Sequence, residues 1–318
     1  LRHSASPGIM ALVRQAGAAG KPLSPRDVSF RIGPRLNAAG RLGAADICVE
    51  LLMCSDLGRA VEIARQLDGT NRERQRIQGA ILEEALERIA QLDGFEQRRT
   101  IVLADEQWHA GVVGIVASRL AEDFHRPALL LSIDGDTARG SARSVPGLNL
   151  FEAIEACEDL LLAYGGHAGA AGVRLKLERL DEFREQFEQE VQRRMGDGEP
   201  CGVLEIEAEI DLGAVGHRLV SDLDGLAPYG QGNRPPVLVC SGVAVAGQPR
   251  LMGQQGQHIS FYVRGGESSL RVVGFGMGGI YDDLASGGVA CDIAFTPRLN
   301  SFRGTDEVEL ELCDLRLR

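Results

Sequence analysis

The chain has 318 residues, 44% hydrophobic and 25% charged, with a formal net charge of −11. That length exceeds one ordinary core and points to two or three domains of roughly 100–150 residues each. No apolar run approaches the ~18 residues of a membrane span, and the acidic balance excludes a protein that coats nucleic acid indiscriminately.

The opening LRHSASPGIM has no initiator Met and no signal-peptide core, so a chain cut at its N-terminus is expected. From residue 1 to 46 the basic residues Arg2, Arg14, Lys21, Arg26, Arg31, Arg35 and Arg41 face only Asp27 and Asp46. The spacing predicts a helix over Asp46–Gln66 and a longer one over Asn71–Leu92, with Ile77, Ile81, Ala85 and Ile89 on one stripe. Such a helix commonly joins two domains. Then come a strand at Thr100–Ala104, a helix over VVGIVASRLAEDF, a buried strand ALLLSI, the segment ARGSARS and a helix near Leu150–Leu162. GGHAGAAG, a strand VRLKL and an amphipathic helix over Leu180–Arg194 complete an α/β domain over roughly 100–195. After the composition break near Gly196–Pro200, short alternating segments predict an all-β module: LEIEAEI, PPVLVCSGVAVAG, HISFYVR, LRVVGFG, VACDIAFTPRL and VELELCDLRL. Seven scattered cysteines form no CxxC pair, which fits small buried hydrophobes in a reducing, cytoplasmic setting.

Three stretches carry candidate chemistry. RIGPRLNAAGRLG, residues 31–43, sets Arg35 and Arg41 around Asn37 beside small residues. Two guanidiniums near exposed amides make a phosphate grip, and the alternative is a surface turn with solvated arginines. ARGSARS, residues 138–144, places Arg139, Ser141 and Arg143 on one side if its strand continues, which suits an oxyanion. The alternative is an exposed edge strand. GGHAGAAG, residues 165–172, isolates His167 among glycine and alanine. This histidine can donate to a phosphate oxygen or protonate a leaving group, although a lone histidine is more often structural. His109 opens a helix, where amides favour an anion. No spacing of metal-ligating residues stands out, so no metal ligand is expected within this chain.

RLNAAGR at 35–41, GSARS at 140–144 and GGHAGAAG at 165–172, in this order, resemble the late motifs of the RecJ branch of the DHH phosphoesterase superfamily. DEQWHAGVVGIVASRLAEDFHRPALLL is similar to the opening of that family's DHHA1 domain, and LDGTNRERQ to the entry of its interdomain helix. LAPYGQGNRPPVL and LNSFRGTDEVELELCD resemble its OB-fold module. The resemblance implies the tail of a DHH domain over 1–69, a connector helix over 70–98, an α/β DHHA1 domain over 99–196 and an all-β OB-fold-like domain over 197–318.

It also implies a 5′-to-3′ single-stranded-DNA-specific exonuclease of recombination and repair, using Mn²⁺ or Mg²⁺ held by an upstream DHH domain, so that this chain alone is inactive. Single-stranded DNA is the implied substrate, with single-strand-binding protein and a helicase as partners. His167 would face the scissile phosphate. Gly165 and Gly166 would let the DNA backbone pass close by. Ser141 and Arg143 would hold phosphates, and Arg35, Asn37 and Arg41 would hold one from the other side. Arg264, Arg298, Phe302 and Arg303 would contact the strand in the OB module. The alternatives are a catalytically inactive single-stranded-DNA-binding relative and a DHH/DHHA1 phosphodiesterase of short oligonucleotides.

Overall fold

A computed structural model describes residues 6–20, 23–196, 202–230, 232–285, 288–300 and 306–318. The chain divides into two compact units, residues 1–203 and 204–318.

The first unit is organised by one long helix that serves two cores. Helices α1 (Pro7–Gln15), α2 (Pro25–Asp27), α3 (Gly33–Leu42) and α4 (Asp46–Met53) precede α5 (Leu57–Ala90). The expected helix over Asp46–Gln66 is two helices. Cys54 turns extended, and the Asp56 carboxylate caps α5 by accepting the Arg59 amide at 2.7 Å. The first half of α5 buries Ala60, Ile63, Ala64 and Leu67 against α1, α3 and α4. Its last turns bury Ile81, Ala85 and Ile89 in a second core. Between these apolar stripes α5 carries polar residues, including buried Asp68 and Asn71.

The second core encloses a five-stranded sheet of order β1-β2-β3-β5-β4. Its strands are β1 (Ile101–Asp105), β2 (Ala128–Asp134), β3 (Thr137–Arg143), β4 (Ala163–His167) and β5 (Ala170–Lys176). β1 and β2 are parallel, joined through α6 (Val113–Phe124), and the other pairs are antiparallel. Helices α7 (Leu150–Glu155) and α8 (Leu180–Met195) add Ile154, Phe183 and Phe187 to the same core. Trp108 bolts α5 to this domain. It is buried, its Nε1 donates to Glu84 at 2.8 Å, and Arg88, bonded to Glu84 and Asp105, lies 5.2 Å over its ring.

The second unit is a closed five-stranded barrel, the OB-like module expected. After the two-residue β6 (Ala208–Glu209) and α9 (His217–Asp224) come β7 (Leu238–Met252), β8 (His258–Gly265) and β9 (Ser268–Gly274). The short α10 (Tyr281–Leu284), β10 (Ala290–Asn300) and β11 (Glu307–Leu317) follow. Strands run β7-β8-β9-β11-β10, and β10 closes the ring on β7. Of LEIEAEI only Ala208–Glu209 pairs, with Leu238 and Val239. Phe261 and Phe295 fill the barrel core.

α8 is tied to α7 through Glu190. Arg193 and Arg194 both bond its carboxylate, and Arg194 reaches Glu152 at 2.7 Å. Above all the Arg193 hydrogen bond, with Arg194 adding to it, holds the Glu190 pKa down at about 2 against an ordinary 4.5. A folded pKa below the unfolded one stabilises above the unfolded value and is lost as pH falls through the folded one. Urea denaturation across pH should show Glu190→Gln less stable than wild type at neutral pH. That gap should close as pH falls from 4.5 to about 2.

Candidate nucleic-acid interface

RLNAAGR forms the body of α3, with Ala38 and Ala39 buried and Asn37 exposed. Its two arginines part company. Arg35 donates through Nε and Nη2 to Asp68 at 2.9 and 2.8 Å. Asp68 is 4% exposed and also accepts from Gln15 of α1 at 3.2 Å and Arg72 at 2.8 Å. Burial opposes its ionisation, yet the Gln15 bond, Arg35 and Arg72 together hold its pKa below the ordinary carboxylate value. Arg35 is therefore committed to joining α3 to α5, rather than facing the pocket as the sequence suggested.

Arg41, at the far end of α3, is exposed. Its Nη1 donates to the Gly111 carbonyl at 3.2 Å. A Cβ added at Gly111 would lie 2.2 Å from the Arg41 carbonyl oxygen, so only glycine admits this approach. The loop Trp108–Gly111 thus brings Arg41 beside the sheet. There Arg41, His109, Gly111, Arg139 and Ser141 line a cavity of about 370 Å³. Gly114, in the first turn of α6, packs against Ser141 Oγ and Arg143 Nη2, since a Cβ there would meet each at 3.1 Å.

ARGSARS is strand β3, not an edge strand, because β5 pairs along its outer side. Ala138 and Ala142 point into the core, and Arg139, Ser141 and Arg143 point to the other face. GGHAGAAG is a hairpin: β4 ends at His167 and β5 starts at Ala170. A Cβ on Gly166 would lie 2.3 Å from the Ala170 carbonyl oxygen, and its φ is 153°, so this glycine serves the hairpin's own packing. Gly165 is open, with nothing within 4 Å of an added Cβ. Cross-strand registers run Arg143, Ala170, His167 and, beside it, Ser141, Gly172, Gly165. His167 therefore shares the face of Ser141 and Arg143, two strands and about 10 Å away. Its Nδ1 accepts the Gly169 amide at 3.1 Å, so the neutral ring keeps its hydrogen on Nε2, free to donate. His109 repeats this arrangement, accepting from Gly111 at 3.0 Å.

Arg74 of α5 was not singled out from sequence. Its guanidinium is held by Gln78 at 2.6 Å and by Asn71 Oδ1 at 2.8 Å, both neutral. Burial first, and then repulsion by Arg41, lowers the pKa of Arg74, and the same two causes in the same order lower that of Arg143. None of Arg41, Arg74 and Arg143 is paired with a carboxylate among the described residues. A partly desolvated cluster of like charges without counter-ions is stabilised when an anion enters. In the sequence Arg74 lies in the charged run NRERQR, which does not set it apart from its neighbours. Asn71 three positions before it and Gln78 four after are the pattern that orients it.

In the barrel unit a cavity of about 680 Å³ lies on β7–β9 and the facing ends of β10 and β11, lined by Arg250, Met252, Tyr262, Arg271, Asn300 and Glu307 among others. Arg264 is exposed on β8 outside it. Arg298 is bound to Glu309 and Glu311 and lies 5.2 Å over Phe275. Phe302 and Arg303 lie outside the described residues. Arg250 and Arg271, which line the cavity, were missed because isolated arginines in alternating strands look like solvated faces.

Residues 97–193 match the DHHA1 domain model and residues 206–314 the RecJ OB domain model. The chain belongs to the RecJ family. It is 35% identical over 290 residues to the single-stranded-DNA-specific exonuclease RecJ of Bacillus subtilis, covering 90% of this chain and 36% of that protein. With the same-named protein of Dickeya dadantii it shares 35% identity over 96% of this chain and 54% of the relative. The crystal structure of Thermus thermophilus RecJ in complex with Mn²⁺ superposes with a TM-score of 0.82 at 30% identity, over 98% of this chain and 44% of that one. The chain thus spans about a third to a half of the length of these RecJ proteins. T. thermophilus RecJ has been solved with Mg²⁺ as well. Among the described residues of this chain no group of three His, Cys, Asp or Glu side chains is placed to hold a metal ion. No helix among them is long and apolar enough to cross a membrane.

The two RLNAAGR arginines should separate in a stability measurement. Arg35→Ala leaves a buried carboxylate short of its main partner and should cost about 3 kcal/mol. Arg41→Ala removes an exposed, repelled charge and should change stability by no more than about 0.5 kcal/mol. Urea denaturation of the two variants checks this.

Proposed function

We propose that this chain is the phosphate-gripping and strand-guiding part of a 5′-to-3′ single-stranded-DNA-specific exonuclease of recombination and repair. The division into a DHH-domain tail over 1–69, a connector over 70–98, a DHHA1 domain over 99–196 and an OB-like domain over 197–318 belongs to this proposal. The observation that carries it is the approach of Arg41 to both Arg74 and Arg143, none with a carboxylate partner among the described residues, where Arg41 and Ser141 line one cavity and Arg143 flanks Ser141 at Gly114. Hydrolysis of a phosphodiester concentrates charge on the phosphoryl oxygens and needs fixed in-line geometry. Forked guanidiniums supply both, and the Ser141 hydroxyl adds a donor. His167 Nε2 can donate to a phosphate oxygen or a departing oxygen. Asn37, exposed on α3, and open Gly165 are assigned to the same phosphate-holding wall in this proposal.

A divalent ion, Mn²⁺ or Mg²⁺ as in the T. thermophilus RecJ structures, would activate water, but its ligands are assigned to a part of the relatives' length that this chain does not span. In the barrel, exposed Tyr262 beside Arg250 offers a base platform in the cavity, as OB folds use for single strands, while Arg271 there is held by Glu309. Arg264, Arg298, Phe302 and Arg303 remain the further strand contacts proposed. Single-strand-binding protein and a helicase are the partner proteins this reading implies.

The test is cleavage of a 5′-labelled single strand with Mn²⁺ by the longer protein that contains this chain. Activity is expected there, and none from the 318-residue chain by itself. Arg41→Ala and Arg143→Ala in the longer protein should each lower kcat by about 100-fold or more, the scale of a lost donor to developing charge. Near wild-type cleavage by both variants refutes the reading.

A further inference from the structure

We propose that Arg139 and Arg174 clamp a second backbone phosphate of single-stranded DNA, on a bare shelf formed by β3, β5 and β4 next to the Arg41–Ser141 cavity. The inference rests on the nucleic-acid reading above and extends it to residues that reading does not use.

Arg139 and Arg174 are direct cross-strand partners in the β3–β5 register, and both are exposed. Like charges directly opposite one another destabilise a sheet, by a few tenths to about 1 kcal/mol. Neither arginine has a carboxylate partner among the described residues, whereas Arg179, Arg184, Arg193 and Arg194 on and before α8 all do. The part of this face formed by β3, β5 and β4 is unusual in the same way, although Asp134 of β2, opposite Thr137, borders it. Along β3 it presents Thr137, Arg139, Ser141 and Arg143. Along β5 it presents Ala170, Gly172, Arg174 and Lys176, and along β4 Ala163, Gly165 and His167. These strands put no acidic residue on this face, in a chain of net charge −11. Lys176 alone of its cations is paired, with Glu178 beyond the strand.

The floor between the cations is bare. Ala163, Gly165, Gly172 and Ala170 are exposed or half-buried, and an added Cβ on Gly165 meets nothing within 4 Å. The one aromatic in these strands, Tyr164, belongs to the opposite face, where its ring lies 5.9 Å from Phe151. Apart from the His167 imidazole at the end of β4, the shelf has no aromatic ring for a base to stack upon. It offers charge and close approach, which is what a sugar–phosphate backbone requires. Arg139 also lines the cavity beside Arg41, so the second phosphate sits next to the first. Neighbouring phosphates of one strand then bridge from that cavity onto the shelf and toward the β4 edge.

The experiment is binding of a fluorescein-labelled oligothymidylate to the full 318-residue chain, followed by anisotropy over a salt series, for wild type and Arg139→Gln/Arg174→Gln. Losing one phosphate contact on a single strand should lower the log–log salt slope by about 0.7, equivalent to about fivefold weaker binding at about 0.1 M salt. Arg139→Lys/Arg174→Lys should keep most of the slope. Arg98→Gln, at the opposite edge of the sheet, should leave it unchanged. Circular dichroism is expected to be the same for all, since both side chains are exposed. A wild-type slope in the Gln double variant overturns the clamp. If Arg41→Ala/Arg143→Ala still weakens binding in that case, the wider nucleic-acid reading survives and the clamp alone fails. If neither double variant weakens binding, or the chain binds no oligonucleotide, both fail.

Discussion

The approach of Gly111 to the Arg41 backbone is the contact on which the rest of the site depends. Arg41 and Arg143 belong to different cores of one unit, one packed on the first half of α5 and the other on the sheet. They come within repelling distance because a residue without a side chain lets the end of α3 settle on the loop that opens α6. The same loop carries Trp108, whose burial and bond to Glu84 tie it to the last turns of α5. One helix, one loop and one glycine thus hold cations from three elements in a common register.

That register is electrostatically costly. Arg41 disfavours the charged forms of Arg74 and Arg143, and burial adds to the effect. Other arginines of the chain share carboxylates, as Asp68, Glu190 and Glu309 each take two. Leaving these three without carboxylates concentrates an unmet demand for anions at one place in an acidic protein. The buried Asp68 hub matters indirectly, since it fixes α3 and hence the line along which Arg41 is presented.

Much of this was legible in the sequence, for physical reasons. Strands with β-branched alternation, such as HISFYVR and VACDIAFTPRL, emerged as β8 and β10, and ALLLSI as the doubly buried β2. GGHAGAAG did not read as two strands, because glycine and alanine carry no β preference and leave no periodicity. Its pairing is set by ARGSARS and VRLKL on either side. The break at Cys54–Asp56 was hidden by a continuous apolar stripe, although Asp56 is a good N-cap. Within RLNAAGR, composition alone does not separate Arg35 from Arg41. The difference is that Asp68, 33 positions away, meets only the first of them. Arg74 was missed for a related reason, since its meaning comes from what faces it across space.

The most direct test of the shared wall is to follow the guanidinium Nε–H resonances of Arg41, Arg74 and Arg143 by NMR while titrating the 318-residue chain with a 5′-phosphorylated dithymidylate. One cluster around one ligand predicts that all three shift with a single midpoint. In Gly111→Val the end of α3 is displaced, so Arg143 should still respond while Arg41 falls silent. Three independent midpoints, or an Arg41 response unchanged in Gly111→Val, would contradict the account.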